Sequence, residues 1–393
     1  MAPSRATASL PVSPFQGRNI RVMPSPASQT SRVEALDLLR LAAVLAVVLY
    51  HFGFWGPTSN GIPQAAIPAL APFAKYGFLG VPVFFIISGF VIAYSAEGRT
   101  ATGFAIARFS RIYPTFVFCM TLTFLAIVFL GPPHFNATWA QWFANLIIAA
   151  PALGQTYMDT SYWSLVIEVM FYAWVAALIA VGLFPRRIDT IILIWLGITF
   201  ANELTVDALW AEKLFLADDS GFFAAGLLIY EFYRGRRGAM LYCMLALSIG
   251  TAVFQALHKL VRLAPHTGGV FDQWIVVAIC LGSVAIIFLA TQVRRVPLPA
   301  GFTLAVGGLT YPLYLLHMQF GYVLFEHQAP ANAVPLVVTI LVAMTLLAWA
   351  VWRYVERPAQ RWTRELLTRR ATRLGWPPKP DAAIGSAAGG RTA

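Results

Sequence analysis

Ten apolar stretches, each near the roughly 20 residues needed to cross a bilayer, leave this chain one class of fold. They lie at about 35–55, 76–95, 112–131, 162–184, 188–203, 214–233, 239–257, 272–292, 302–325 and 334–354. Lipid gives backbone N–H and C=O groups no partners, so a crossing segment of this length must be helical. The expected fold is all-α: a polytopic transmembrane helix bundle of about ten spans. Of 393 residues, 59% are hydrophobic and 11% charged, under half the roughly one quarter charged in soluble domains. The fifth and sixth stretches are the weakest. The short run 142–150 reads as a partial helix at the membrane surface.

Charge tests the count. With the N-terminus in the cytoplasm, the inner segments hold 22 of the 28 Lys and Arg residues and the outer loops hold Lys75, Lys213, Lys259 and Arg262. Such alternation follows the positive-inside pattern and places both termini in the cytoplasm. The net charge of +11 is thereby explained by topology, without a nucleic-acid partner. Residues 1–31 have no signal-peptide core and read as a disordered cytoplasmic tail. Residues 32–360 form the expected membrane domain, and 361–393 a basic and then disordered cytoplasmic tail, with no further soluble domain at either end. Cys119, Cys243 and Cys280 sit in apolar runs without a CxxC, so neither disulfide nor metal site is expected. There is no phosphate loop of the Walker type, no HExxH and no repeat of fixed period.

Polar residues inside the apolar stretches point to function. In "LLRLAAVLAVVLYHFGFW" Arg40 and His51 are eleven residues apart. Eleven steps of about 100° return to within roughly 20° of one face, about 16 Å along the axis. Snorkelling of Arg40 and an interfacial place for His51 are the ordinary alternatives. Ser88 and Gly89 in "GVPVFFIISGF" suit close helix packing. Arg108 and Arg111 in "RFSRIYP" share a face and suit phosphate, or simply anchor the third helix in the cytoplasm. Glu168 lies about 9 Å below the outer start of the fourth helix. Either it is functional or it pairs with a buried cation. Tyr311, Tyr314 and His317 follow each other at three-residue steps in "YPLYLLHMQFGY".

Depth sorts these residues into two layers. Arg40, Ser88, Arg108 and Arg111 form a basic inner layer. His51, Glu168 and His317 form an outer layer able to do acid–base chemistry. Such a site suits a phosphate-bearing donor from the cytoplasm and a hydroxyl acceptor from outside. A proton-coupled transporter would also use buried His, Glu and Arg. Inverted repeats would favour that alternative, and none is seen.

The same stretches resemble the membrane acyltransferase-3 family of bacterial O-acyltransferases. "RVEALDLLRLAAVLAVVLYH", "FFIISGF", "RFSRIYP", "SLVIEVMFY", "YPLYLLH" and "YVERPAQ" resemble its motifs in order, over residues 32–360. The resemblance implies transfer of an acyl group, by default acetyl, from acyl-CoA to a hydroxyl of a sugar, surface glycan or small molecule. It places the chain in the inner membrane, among lipid, and with the members lacking an extra periplasmic domain. Acyl-CoA would be a co-substrate and no metal would take part. His51 would be general base or acyl relay, with Glu168 orienting it. Arg108, Arg111, Arg40 and Ser88 would form the donor site. Tyr311, Tyr314 and His317 would serve the acceptor or the oxyanion.

Overall fold

The computed structural model describes residues 33–206, 208–293, 296–328 and 333–376. The expected tail at 1–31 lies outside the described residues, as do residues 377–393 of the expected tail at 361–393, and Arg294 and Arg295. Every element among the described residues is helical. The longer helices are α1 (Glu34–Tyr50), α2 (Gly80–Ala96), α3 (Ala101–Leu130), α4 (Trp163–Ala180), α5 (Ile188–Ala201) and α6 (Ser220–Tyr233). They continue as α7 (Ala239–Thr267), α8 (Gln273–Gln292), α9 (Ala300–Leu316), α10 (Gln319–Glu326), α11 (Ala333–Val351) and α12 (Arg357–Arg373).

Eight of these segments are long and apolar enough to cross a membrane, so the chain is a multi-pass membrane protein. The other two expected spans are helical but shorter. The sixth is α6, with 14 residues, about 21 Å long. The ninth is divided: α9 ends at Leu316 and α10 starts at Gln319, whose N–H donates to the buried Asp159 carboxylate at 2.7 Å. The chain therefore turns at His317. The run 142–150 is two elements, Trp139–Asn145 and a tight turn at Ala150–Leu153. A π-helical turn, Trp352–Glu356, carries α11 without a break into α12.

α1 lies between two hydrophobic cores. Leu36 and Val47 pack into one, built largely from α2 and α4 to α8. Val44, Val48 and Phe52 pack into the other, built from α3, α9, α10 and α11. Glycines bring the backbones together where the first core is tightest. A Cβ on Gly226 would stand 2.0 Å from the Ile86 carbonyl oxygen, and one on Gly89 would stand 2.3 Å from that of Phe223. This is small-residue packing between α2 and α6.

Polar contacts tie the loops at both ends. Arg234 pairs with Glu97 at 3.6 Å, and Arg236 binds Asp189 through two bonds of 3.0 and 2.7 Å. At the opposite end Lys75 donates to the Val270 carbonyl at 2.6 Å, Lys259 pairs with Asp219, and Arg262 pairs with Asp218 at 3.2 Å. The alternation of basic loops along the sequence thus becomes an arginine-rich end and an end with few cations.

Candidate active site

α1 and the turn that follows it carry the two polar residues of the first stretch. Arg40 sits near its start, where Nη1 donates to Asp37 at 2.9 Å. His51 begins a π-helical turn, His51–Trp55. Such turns widen the backbone locally and are frequent at functional sites. Here the His51 carbonyl receives a bond from the Tyr322 hydroxyl at 3.1 Å, which fixes the turn to α10.

Arg40, Ser88, Arg108 and Arg111, expected together, line one cavity of about 120 Å³. It lies on the seam between the two cores, walled by Val81 and Phe85 from one and Leu165 and Ile112 from the other. Thr100 caps α3 by accepting from Gly103 N at 3.1 Å, which starts the helix two turns before Arg108. The Arg108 guanidinium lies over the Phe104 and Tyr172 rings, 5.9 Å from each centroid. Its Nε is buried and has no hydrogen-bond partner among the described residues.

The cavity also corrects the two-layer reading. Glu168, expected beside His51, lines the arginine cavity. Its Oε1 accepts from Ser88 Oγ at 3.2 Å and from the Tyr172 hydroxyl. Arg111 interacts electrostatically with Glu356, Asp37 and Glu168. Three guanidinium groups are therefore matched by three carboxylates, which makes their burial tolerable. Asp37, Tyr172 and Glu356 had no assigned part in the sequence reading. Glu356 is 2% exposed, and its Oε2 has no hydrogen-bond partner among the described residues.

His51 lines a second and larger cavity, about 640 Å³, within the roughly 300–1,000 Å³ range of small-molecule sites. The rings of Tyr50, Trp55, Tyr157 and Trp163 line it, with Lys259 and Arg262 from α7. Val81 and Tyr314 line both cavities and form a shared wall. His317, expected near His51, meets it directly: Nε2 of His317 is 3.0 Å from Nδ1 of His51.

Backbone carbonyls assign the protons of this pair. His51 Nδ1 is also 2.9 Å from the Val47 carbonyl, and His317 Nδ1 is 2.6 Å from that of Tyr314. A carbonyl only accepts, so each Nδ1 carries hydrogen. His317 Nε2 then accepts from His51 Nδ1–H, and the lone pair of neutral His51 is on Nε2. Behind His317 lies Asp159, fully buried and electrostatically coupled to it. Burial pushes the Asp159 carboxyl up from its ordinary range, opposed by electrostatic coupling to His317 and by donors from Ser161 and Gln319.

The tyrosines are anchored. Tyr311 donates to the Ile112 carbonyl at 3.2 Å. The Tyr314 hydroxyl meets Ser164 Oγ at 2.6 Å and the Ser161 carbonyl at 3.2 Å. Tyr311 lines the arginine cavity, so the residues expected to serve the acceptor are divided between the two spaces.

A protein family described as "Acyltransferase domain" matches residues 33–353. Acyltransferase MdmB of Streptomyces mycarofaciens is 30% identical over 151 residues, 36% of this chain and 38% of that protein. Peptidoglycan O-acetyltransferase OatA of Listeria monocytogenes is 27% identical over 168 residues, 37% of this chain and 24% of that protein. The matches thus span well under half the length of these relatives. No solved structure matches the chain.

Proposed function

The chain belongs to this acyltransferase family, and on that premise we propose that it moves an acyl group from acyl-CoA to a hydroxyl, with His51 as general base. The observation that carries the reading is the His51–His317 contact of 3.0 Å. It leaves His51 Nε2 as the free lone pair of a ring that lines a cavity large enough for an acceptor.

The acceptor binds in the histidine cavity. Its hydroxyl gives a proton to His51 Nε2 as the oxygen attacks the thioester carbonyl. The tetrahedral intermediate collapses, the C–S bond breaks, and the departing thiolate takes that proton. During the step His51 is an imidazolium with Nδ1–H still bonded to His317. No tautomer change is needed. His317 is thus a positioning residue, with Asp159 behind it.

The donor occupies the arginine cavity. Arg108 and Arg111 receive its anionic groups, assisted by Arg40, because guanidinium suits bidentate contact with phosphate. Ser88 and Glu168 hold the wall through the Ser88–Glu168–Tyr172 bonds. The acyl arm reaches His51 past Val81 and Tyr314. The acyl group is acetyl, and the acceptor is a sugar, a surface glycan or a small molecule. The name of the Listeria relative, a peptidoglycan O-acetyltransferase, favours a glycan. The membrane is the cytoplasmic one, with basic loops and both termini inside.

The test uses the full chain in detergent. Acetyl-CoA binding and thiol release are measured for the parent, His51→Ala and Arg111→Ala. The parent binds and slowly releases thiol, His51→Ala binds without turnover, and Arg111→Ala loses binding. A parent with no affinity for any acyl-CoA overturns the reading.

A further inference from the structure

Two more cavities adjoin each other at the arginine-rich end, apart from the histidines. The first, about 480 Å³, lies where loop 182–187 meets the end of α6. Arg186, Arg187, Arg234 and Arg236 line it, with Asp189 and Glu231 as the acidic residues. Both acids bind Arg236, and Glu231 also pairs with Arg234 at 3.5 Å. Arg186 and Arg187 are exposed and form no ion pair with a described residue. The cavity therefore has an excess of two cations.

The second cavity, about 240 Å³, has an almost wholly apolar lining. Phe171, Val175 and Leu178 of α4 form one stripe of it, and Ile191, Ile194 and Ile198 of α5 form the facing stripe. Each stripe advances seven residue steps, so the cleft runs about 10 Å along the helices. Its edge is open: Trp174, Leu183 and Ile194 are exposed large apolar residues on membrane helices or their connecting loop. The two cavities meet at one loop. Leu183 and Phe184 line the apolar one, and Arg186 and Arg187 the charged one. One turn of α5 separates Ile188, in the charged cavity, from Ile191, in the apolar cavity.

We propose that this end of the molecule binds one anionic phospholipid, its phosphate on Arg186 and Arg187 and one acyl chain in the α4–α5 cleft. A guanidinium pair suits phosphate. An aliphatic chain suits a narrow cleft without polar lining. Free phosphate would leave the cleft empty, and a neutral lipid would leave the two cations unmatched. The site is independent of the catalytic reading, since none of these residues lines the arginine or histidine cavity.

The test is native mass spectrometry of the full chain in detergent, titrated with dioleoyl-phosphatidylglycerol or dioleoyl-phosphatidylcholine. One phosphatidylglycerol is retained in preference to phosphatidylcholine. The double variant Arg186→Gln/Arg187→Gln, at exposed positions, weakens it about thirtyfold. Ile191→Trp fills the cleft, leaves the charges in place and also weakens it. Arg361→Gln/Arg370→Gln removes two cations from α12 and leaves retention unchanged. Equal retention of the two lipids overturns the proposal. So does parental binding by the Arg186/Arg187 variant or by Ile191→Trp. A loss of the same size in the α12 control reduces the effect to net charge. One-for-one displacement by acetyl-CoA gives the arginines to a nucleotide instead.

Discussion

His51 and His317 meet Nδ1 to Nε2 at 3.0 Å, although 266 residues separate them. The contact exists because two irregular helix ends converge. The π-helical turn after α1 starts at His51, and the break between α9 and α10 falls at His317. Each ring keeps one nitrogen on the carbonyl of its own helix, so neither turns freely. A base held in one orientation needs little rearrangement when the acceptor arrives.

Substitutions separate the roles of the two histidines. His51→Gln removes the lone pair and is expected to lower kcat by about 10²- to 10⁴-fold, with donor affinity unchanged. His317→Ala leaves a buried donor, His51 Nδ1–H, with a poorer set of partners. A cost of about 1–3 kcal/mol corresponds to roughly fivefold to 150-fold in rate. His317→Gln offers Oε1 to the same N–H and is expected to recover part of the loss. Steady-state thiol release from acetyl-CoA measures all three. If His317→Gln is as poor as His51→Gln, His317 does more than position its neighbour.

Much of this arrangement was legible in the sequence. α1 is regular up to Tyr50, so a step of eleven residues sets Arg40 and His51 near one face, as the spacing predicts. Depth measured from the start of α4 puts Glu168 beside His51, whereas it lines the arginine cavity. Asn145, Asp159 and Tyr162 ahead of that start are fully buried, so the helix begins inside the protein and its first residue is no measure of depth. Asp159 in "TYMDTSYW" reads as an ordinary loop acid, and Glu356 in "YVERP" as an interfacial one. Only tertiary packing buries them.

The glycine contact between α2 and α6 is a test of the fold. In Gly226→Ala the new Cβ would meet the Ile86 carbonyl at 2.0 Å, so the helices must separate. Overpacking of this kind costs about 1–3 kcal/mol, seen as a lower thermal midpoint in detergent. Gly282→Ala on α8 has nothing within 4 Å of its Cβ and should hold or raise the midpoint. Equal behaviour of the two would refute the α2–α6 packing.

Arg111 and the buried Glu356 interact electrostatically, and the structural and catalytic contributions of this charge pairing can be divided. Removing one partner of such a pair leaves an uncompensated charge and costs about 3–5 kcal/mol. Arg111→Met is therefore expected to lose both stability and acetyl-CoA binding. The double variant Arg111→Met/Glu356→Met should regain stability without regaining binding. Recovery of both would show that Arg111 supports the fold and does not touch the donor.

Tyr314 offers a different separation, because its ring is part of the wall between the cavities and its hydroxyl is held by Ser164 and Ser161. Tyr314→Phe keeps the wall and should lower kcat by no more than about tenfold, the equivalent of one neutral hydrogen bond. Tyr314→Ala removes the wall and should raise the share of acetyl-CoA lost to water. A hundredfold loss in Tyr314→Phe would assign the hydroxyl to the oxyanion.

The pH dependence follows from the proton assignment. Only neutral His51 has a lone pair on Nε2, so kcat/KM should fall as pH falls through the imidazole pKa and level off above it. If His51 and His317 both titrate, the acid limb should steepen beyond one proton well below its midpoint, because two like charges in contact separate the two steps. His317→Gln cannot be protonated in this range. It should reduce the limb to a single proton. Profiles of the parent and His317→Gln that overlay after scaling would mean that His317 stays neutral throughout, and that its contribution is geometric alone.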